Sequence, residues 1–269
     1  MLRDITIGQY YPENSIIHKL DSRTKLAATA IYIISLFTFK SIVGYLVAGL
    51  FLLGVIKLSK VPFSYIVKGL KPIIFLLVFT AGFNLFLTPG QHILFQVGFL
   101  KITMEGLKTA VFMAIRLIFL ILGSSLMTFT TTPNRLTDGL EHVMNPLKKF
   151  NVPVHEISMM MSIALRFIPI LLEETDKIMK AQTARGADFE TGGLVKKAKS
   201  LIPLLVPLFI SAFRRANDLA MAMEARCYRG GEGRTKMMVL QYKDCDKMAY
   251  LILGVYVIVL VLVSRLIPF

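Results

Sequence analysis

Apolar residues in this chain fall into long, nearly unbroken blocks, without the alternation of a half-buried strand. Five such blocks are candidates to cross a hydrocarbon layer about 30 Å thick. "KLAATAIYIISLFTF" (25–39) and "SIVGYLVAGLFLLGVIKL" (41–58) are separated by Lys40 alone. The first is short at about 1.5 Å per residue, which predicts a tight hairpin with a tilted or shallow first helix. "KPIIFLLVFTAGFNLFLTPG" (71–90) opens at Pro72 and closes at Pro89-Gly90. "GLKTAVFMAIRLIFLILGSSLMTFT" (106–130) follows, with Arg116 inside it, and "MAYLILGVYVIVLVLVSRLIPF" (248–269) comes last. Between the third and fourth, "HILFQVGFLKITMEG" alternates around Gly98 and suggests a small extracellular hairpin that serves as a connection.

Residues 131–247 read differently. "TTPNRLTDGLEHVMNPLKKF" has threonine N-cap candidates before Pro133 and predicts a short amphipathic helix. Two long helices follow, each apolar in one half and charged in the other. Their apolar runs, "ISMMMSIALRFIPILL" (157–172) and "SLIPLLVPLFISAF" (200–213), are too short to span, yet apolar on every side. Packing on each other buries one stripe of each, so the remainder must meet lipid or another membrane protein. Pro169, Pro203 and Pro207 are expected to bend these helices. "RTKMMVLQYKDCD" then reads as a short strand or an extended return to the membrane. The resulting division is 1–130 for the first four spans, 131–247 for an interfacial domain and 248–269 for the last span.

Composition agrees with a membrane protein: 55% of residues are hydrophobic and mean hydropathy is +0.63. The net charge of +14 would raise nucleic acid as a partner, but no basic face with interleaved aromatics accompanies it. Lys and Arg instead crowd the segment before the first block, the connection around Lys57–Lys71 and the 131–247 segment. By the positive-inside rule this places the N-terminus and 131–247 in the cytoplasm and the C-terminus outside. Cys227 and Cys245 then lie in a reducing compartment and read as structural thiols. No cleavable signal peptide precedes the first block.

Catalytic chemistry is missing from the sequence. There is no phosphate-binding GxxxxGK[ST], no GxSxG, and no metal spacing among His18, His92, His142 and His155. The Glu173-Glu174-x-Asp176 cluster precedes Lys177 and Lys180 and reads as a salt-bridged helix face. No catalytic residue, metal or cofactor is assigned. Arg116, a charge at bilayer depth, is either functional or an interior residue paired with a carbonyl or carboxylate.

One signature occurs twice. Ala181-x-x-Ala184-Arg185-Gly186 matches Ala222-x-x-Ala225-Arg226-Cys227, each copy at the end of a long helix and before a glycine-rich break. An arginine there suits the helix dipole. Flanking small residues also thin the tip for close approach, and guanidinium supplies a planar fork for carboxylates or carbonyls.

These paired triplets, with "SIIHKLDSRTKL" (15–26) ahead of the first span, resemble the transmembrane T component (EcfT) of energy-coupling factor transporters across essentially the whole chain. The second triplet departs by carrying Cys for Gly. The resemblance implies an all-α integral membrane protein of about five transmembrane helices plus long cytoplasmic-side coupling helices that cross each other. It implies that Ala184, Arg185, Gly186, Ala225, Arg226 and Cys227 contact two ATP-binding subunits. It also implies a substrate-binding S component beside this chain, for uptake of vitamins or metal ions. From the apolar runs we expect Met159, Met160, Met161, Leu165, Leu204, Leu205, Leu208 and Phe209 to form that contact. Methionines repack cheaply, which fits interchangeable S components; ordinary core is the other reading of the trio. A conventional permease that forms the substrate path itself would carry one coupling tip per chain, and two tips argue against it.

Overall fold

The computed structural model describes residues 10–39, 41–88, 93–97, 100–189, 193, 195, 199–231 and 239–266. Two compact units emerge, a larger one of residues 8–143 with 240–269 and a smaller one centred on 144–239.

The larger unit is a helical bundle. A one-turn α1 (Ile16–Lys19) leads into α2 (Ser22–Thr38), α3 (Ile42–Ser59), α4 (Phe63–Lys68) and, after a 3₁₀ turn at Lys71–Ile73, α5 (Ile74–Leu87). A two-stranded antiparallel hairpin, β1 (Ile93–Val97) and β2 (Leu100–Thr103), connects α5 to α6 (Met104–Thr130). Thr103 joins these elements: its hydroxyl accepts from the Gly106 N–H at the start of α6 and donates to the Thr88 carbonyl after α5. α7 (Pro133–Met144) begins on its proline, as a first-turn proline allows. The last helix, labelled α10, spans Asp244–Leu266.

The core lies where α2, α3, α4, α6 and α10 meet, around Tyr32, Leu36, Ala48, Leu52, Ile66, Phe129 and Tyr256. Phe51 stacks on Tyr256 at 4.3 Å between centroids, and the Tyr256 hydroxyl bonds Ser35 across helices at 2.8 Å. At Gly123 an added Cβ would sit 2.7 Å from the Tyr32 ring, so α6 approaches α2 closely there.

The smaller unit holds α8 (Val154–Ala184) and α9 (Ile202–Ala225). Pro169 and Pro207 lie inside these helices, whereas Pro203 sits in the first turn of α9 and starts the helix instead of bending it.

Among the described residues, four helices are long and apolar enough to cross a membrane: α3, α6, α8 and α10. That set differs from the sequence-based one. α2 has 17 residues and α5 has 14, because α5 starts only after the 3₁₀ turn; at 1.5 Å per residue they reach about 26 and 21 Å. α8 enters the set because its helix continues unbroken on both sides of the 157–172 apolar run. Of residues 234–246, expected as a short strand or an extended return, 234–238 lie outside the described residues; Val239–Lys243 carry no regular structure, and Asp244–Asp246 already belong to α10.

Candidate functional site

The repeated signature folds into two helix ends of the same geometry. α8 stops at Ala184, with Arg185 as C-cap at φ −89°, ψ 7°, and Gly186 in the left-handed region at φ 89°. α9 stops at Ala225, with Arg226 at φ −93°, ψ 14°, and Cys227 at φ 57°. In the first, the Gly186 N–H donates to Thr183 O at 2.9 Å and the Ala187 N–H to Gln182 O at 3.0 Å. In the second, the Cys227 N–H donates to Glu224 O at 2.8 Å and the Tyr228 N–H to Met223 O at 3.0 Å. Each pair of bonds is a Schellman closure, which satisfies helix-end carbonyls and requires one left-handed residue. The third triplet position is therefore set by backbone conformation as well as by bulk.

All six triplet residues are exposed. Neither the Arg185 nor the Arg226 guanidinium has a hydrogen-bond or ion-pair partner among the described residues. Closing the helix with main-chain bonds leaves both side chains unused by their own helix.

Three contacts set the direction of the pair. The Arg215 guanidinium bonds Glu174 at 2.9 Å, and the Gln182 amide donates to Pro203 O at 3.5 Å. A Cβ on Gly231, beyond the α9 tip, would lie 2.5 Å from the His155 ring near the start of α8. Residues 155, 174 and 182 thus meet 231, 215 and 203, so α8 and α9 run antiparallel. Each arginine tip lies eleven residues past the ion pair, about 16 Å along its helix, and the tips end roughly 30 Å apart at opposite ends. Glu174 pairs across to α9, where the sequence suggested partners on its own helix.

The predicted apolar contact residues divide by exposure. Met160, Met161, Leu205 and Phe209 are exposed, and Met159, Leu165 and Leu208 are half-buried. Leu204 is 7% exposed and is a packing residue, not an open contact. Cys227 and Cys245 are exposed free thiols, so neither is a packed structural cysteine.

Among the described residues, Arg116 has neither a carboxylate nor a carbonyl partner. Its Nε–H donates to the Tyr45 hydroxyl at 3.0 Å, and its guanidinium lies 5.3 Å from the Phe37 ring centre. Phenol and aromatic faces stabilise the charge.

The segment 15–26 forms a polar lock in the larger unit. The Ser15 hydroxyl caps α1 and bonds His18 Nδ1 at 2.7 Å, while His18 Nε2–H donates to Tyr11 O at 3.0 Å. Burial lowers the His18 pKa, outweighing the Tyr11 carbonyl, which favours the charged ring. Asp21 caps α2 and pairs with Arg23 at 3.0 Å; burial alone would raise its carboxyl, but the bonds from Arg23 win and lower it. The Lys25 ammonium donates to Thr130 O at 2.7 Å, at the end of α6. Asp246 on α10, 1% exposed, accepts the Asp21 and Lys243 N–H groups at 2.9 and 2.8 Å. Nothing in the sequence marks Asp246, which sits in "KDCDK" and reads as loop charge.

Bundle, lock and paired tips together describe a helical membrane subunit with an exposed helix pair. Residues 13–237 match the family described as CbiQ, cobalt transport protein. A "transmembrane protein EcfT" of energy-coupling factor transporters from Clostridium kluyveri is 58% identical over 252 residues, covering 93% of both chains. The protein of that description from Bacillus subtilis is 50% identical over 91% of this chain and 92% of its own. The chain belongs to the CbiQ family and, within it, to the transmembrane components of energy-coupling factor transporters.

Proposed function

We propose that this chain transmits ATP-driven motion, through Arg185 and Arg226, from two ATP-binding subunits to a substrate-binding S component in the membrane. The observation that carries the proposal is the pair of capped helix ends, each presenting an exposed arginine without a partner among the described residues. Ala184 and Gly186, and Ala225 and Cys227, keep bulk away from each guanidinium so that a groove can close around it. ATP hydrolysis belongs to the partner chains, since this sequence has no phosphate-binding motif. Met160, Met161, Leu205 and Phe209, with the half-buried Met159, Leu165 and Leu208, are the surface for interchangeable S components. The substrate would be a vitamin or metal ion carried by the S component.

The proposed topology keeps the N-terminus and 131–247 in the cytoplasm and the C-terminus outside, as the Lys and Arg distribution favours. The charged half of α8, from Glu173 to Lys180, suits the aqueous side and not hydrocarbon.

The deciding experiment is co-purification of the tagged chain with its ATP-binding subunits, as wild type, Arg185→Glu, Arg226→Glu and the double variant. Reversing a buried charge contact costs about 2–5 kcal/mol. Each single variant should weaken the assembly, and the double should lose both subunits while still folded in the membrane. Full retention in the double variant would reduce both arginines to helix-dipole partners.

A further inference from the structure

Each arginine tip runs into a glycine-containing segment, and the two segments are built differently. After α8, a Cβ added at Gly186 or Gly193 would meet nothing within 4 Å among the described residues. After α9, two left-handed residues, Cys227 at φ 57° and Gly230 at φ 88°, fold the chain back, and Gly231 then lies against the start of α8. A Cβ there would stand 2.5 and 2.7 Å from His155 Cδ2 and Cγ, so the imidazole packs on bare backbone. The two glycines have separate reasons: Gly230 permits the turn and Gly231 the approach. His155 sits in the same turn as Val154 and Ser158, which are 1% and 7% exposed and are the buried residues of α8. The contact therefore joins the α9 tip to the buried turn of α8. At the other end the matching tie is weaker. There the Gln182 amide reaches Pro203 O in a solvent-exposed bond of 3.5 Å, longer than the usual limit of about 3.2 Å.

We infer that His155 and Gly231 form a latch that makes the Arg226 tip and the first turn of α8 move as one body. A contact without slack passes displacement on, because close-packed atoms compress little. The five residues from Arg226 to Gly231 are themselves braced, since the Cys227 and Tyr228 N–H groups bond back to Glu224 O and Met223 O. His155 is then a positioning residue. It receives, at the root of α8, the displacement that a partner imposes on Arg226. The Arg185 tip has no such fastening among the described residues, so the two tips are mechanically unequal. Transmission through the latch rests on Arg226 being a docking tip, as proposed above; the latch itself does not.

The test uses the full chain assembled with its ATP-binding subunits, a non-hydrolysable ATP analogue as probe and amide hydrogen exchange as readout. In wild type the analogue should change exchange at Met223–Tyr228 and at Ile157–Met161 together. Gly231→Ala drives a methyl group into the imidazole; the response should persist at Met223–Tyr228 and be lost at Ile157–Met161. His155→Ala deletes the ring without crowding and should split the response in the same way, so it decides alone should Gly231→Ala fail to fold. The double variant His155→Cys/Gly231→Cys sets two Cβ atoms 3.1 Å apart, within a small shift of disulfide reach. Once oxidised, with the bond verified by peptide mapping, it should keep the joint response. A joint response that survives in both single variants overturns the latch, as does one that the disulfide abolishes until it is reduced. A wild-type response at the α9 tip alone overturns it as well. A response at neither place overturns the reading of Arg226, and the transmission with it.

Discussion

At Cys227 the backbone sits at φ 57°, a conformation that an L side chain adopts at a penalty and glycine adopts readily. Gly186 holds the equivalent position at φ 89° in open space. Substitution should therefore act in opposite directions at the two ends. Cys227→Gly should stabilise the α9 terminus and Gly186→Ala destabilise the α8 terminus, each by about 1 kcal/mol. Amide hydrogen exchange at Met223–Tyr228 and Gln182–Ala187 would read this directly. A second prediction concerns His18, whose folded pKa lies below the ordinary 6.5. As pH falls below that value the unfolded chain takes up a proton that the folded chain refuses. Stability is fully present above about 6.5 and declines as pH drops toward the folded value. The melting temperature in detergent should fall between pH 7.5 and 5.5 in wild type, and His18→Gln should flatten that slope. The arginines and their small neighbours were legible in the sequence because they repeat. The left-handed requirement behind the third position was not, since Cys in place of Gly hides it. Arg116 misled for a related reason: a carboxylate is the obvious partner for a buried guanidinium, and sequence offers no route to a tyrosine 71 residues away.

Among the elements, the long apolar helices α3, α6 and α10 follow from uninterrupted hydropathy. So does the switch from apolar to charged along α8 and α9. What the pattern could not supply is pairing, because an antiparallel arrangement depends on contacts such as Glu174 with Arg215. That bond is part-exposed, with side chains 22% and 40% accessible, so a double-mutant cycle with Glu174→Ala and Arg215→Ala should give only about 0.5–1 kcal/mol of coupling. The swapped pair Glu174→Arg/Arg215→Glu should recover most of what either single reversal loses. The polar lock is stronger. Asp246→Ala strands two main-chain N–H groups, one of them at the cap of α2, and should destabilise by about 2–4 kcal/mol. Asp246→Asn, which keeps one acceptor oxygen, should lose less; equal loss in both would show that charge and not hydrogen bonding matters there.

For the whole molecule, the exposed methionines and the Leu205–Phe209 surface are argued to serve several S components. Replacing Met160 and Met161 together by Val should then impair assembly with some S components more than with others, because branched side chains repack poorly. Co-purification against a panel of S components would show it, and an equal loss for all would remove the sharing idea. The antiparallel course of α8 and α9 has a mechanical side as well. With tips about 16 Å either side of the Glu174–Arg215 contact, the pair is a balanced rocker and not two independent rods. A turn of about 10° about that pivot would carry Arg185 and Arg226 roughly 3 Å each in opposite senses. Pushing one end down lifts the other, so two subunits gripping the tips would feel each other's strokes through this chain alone.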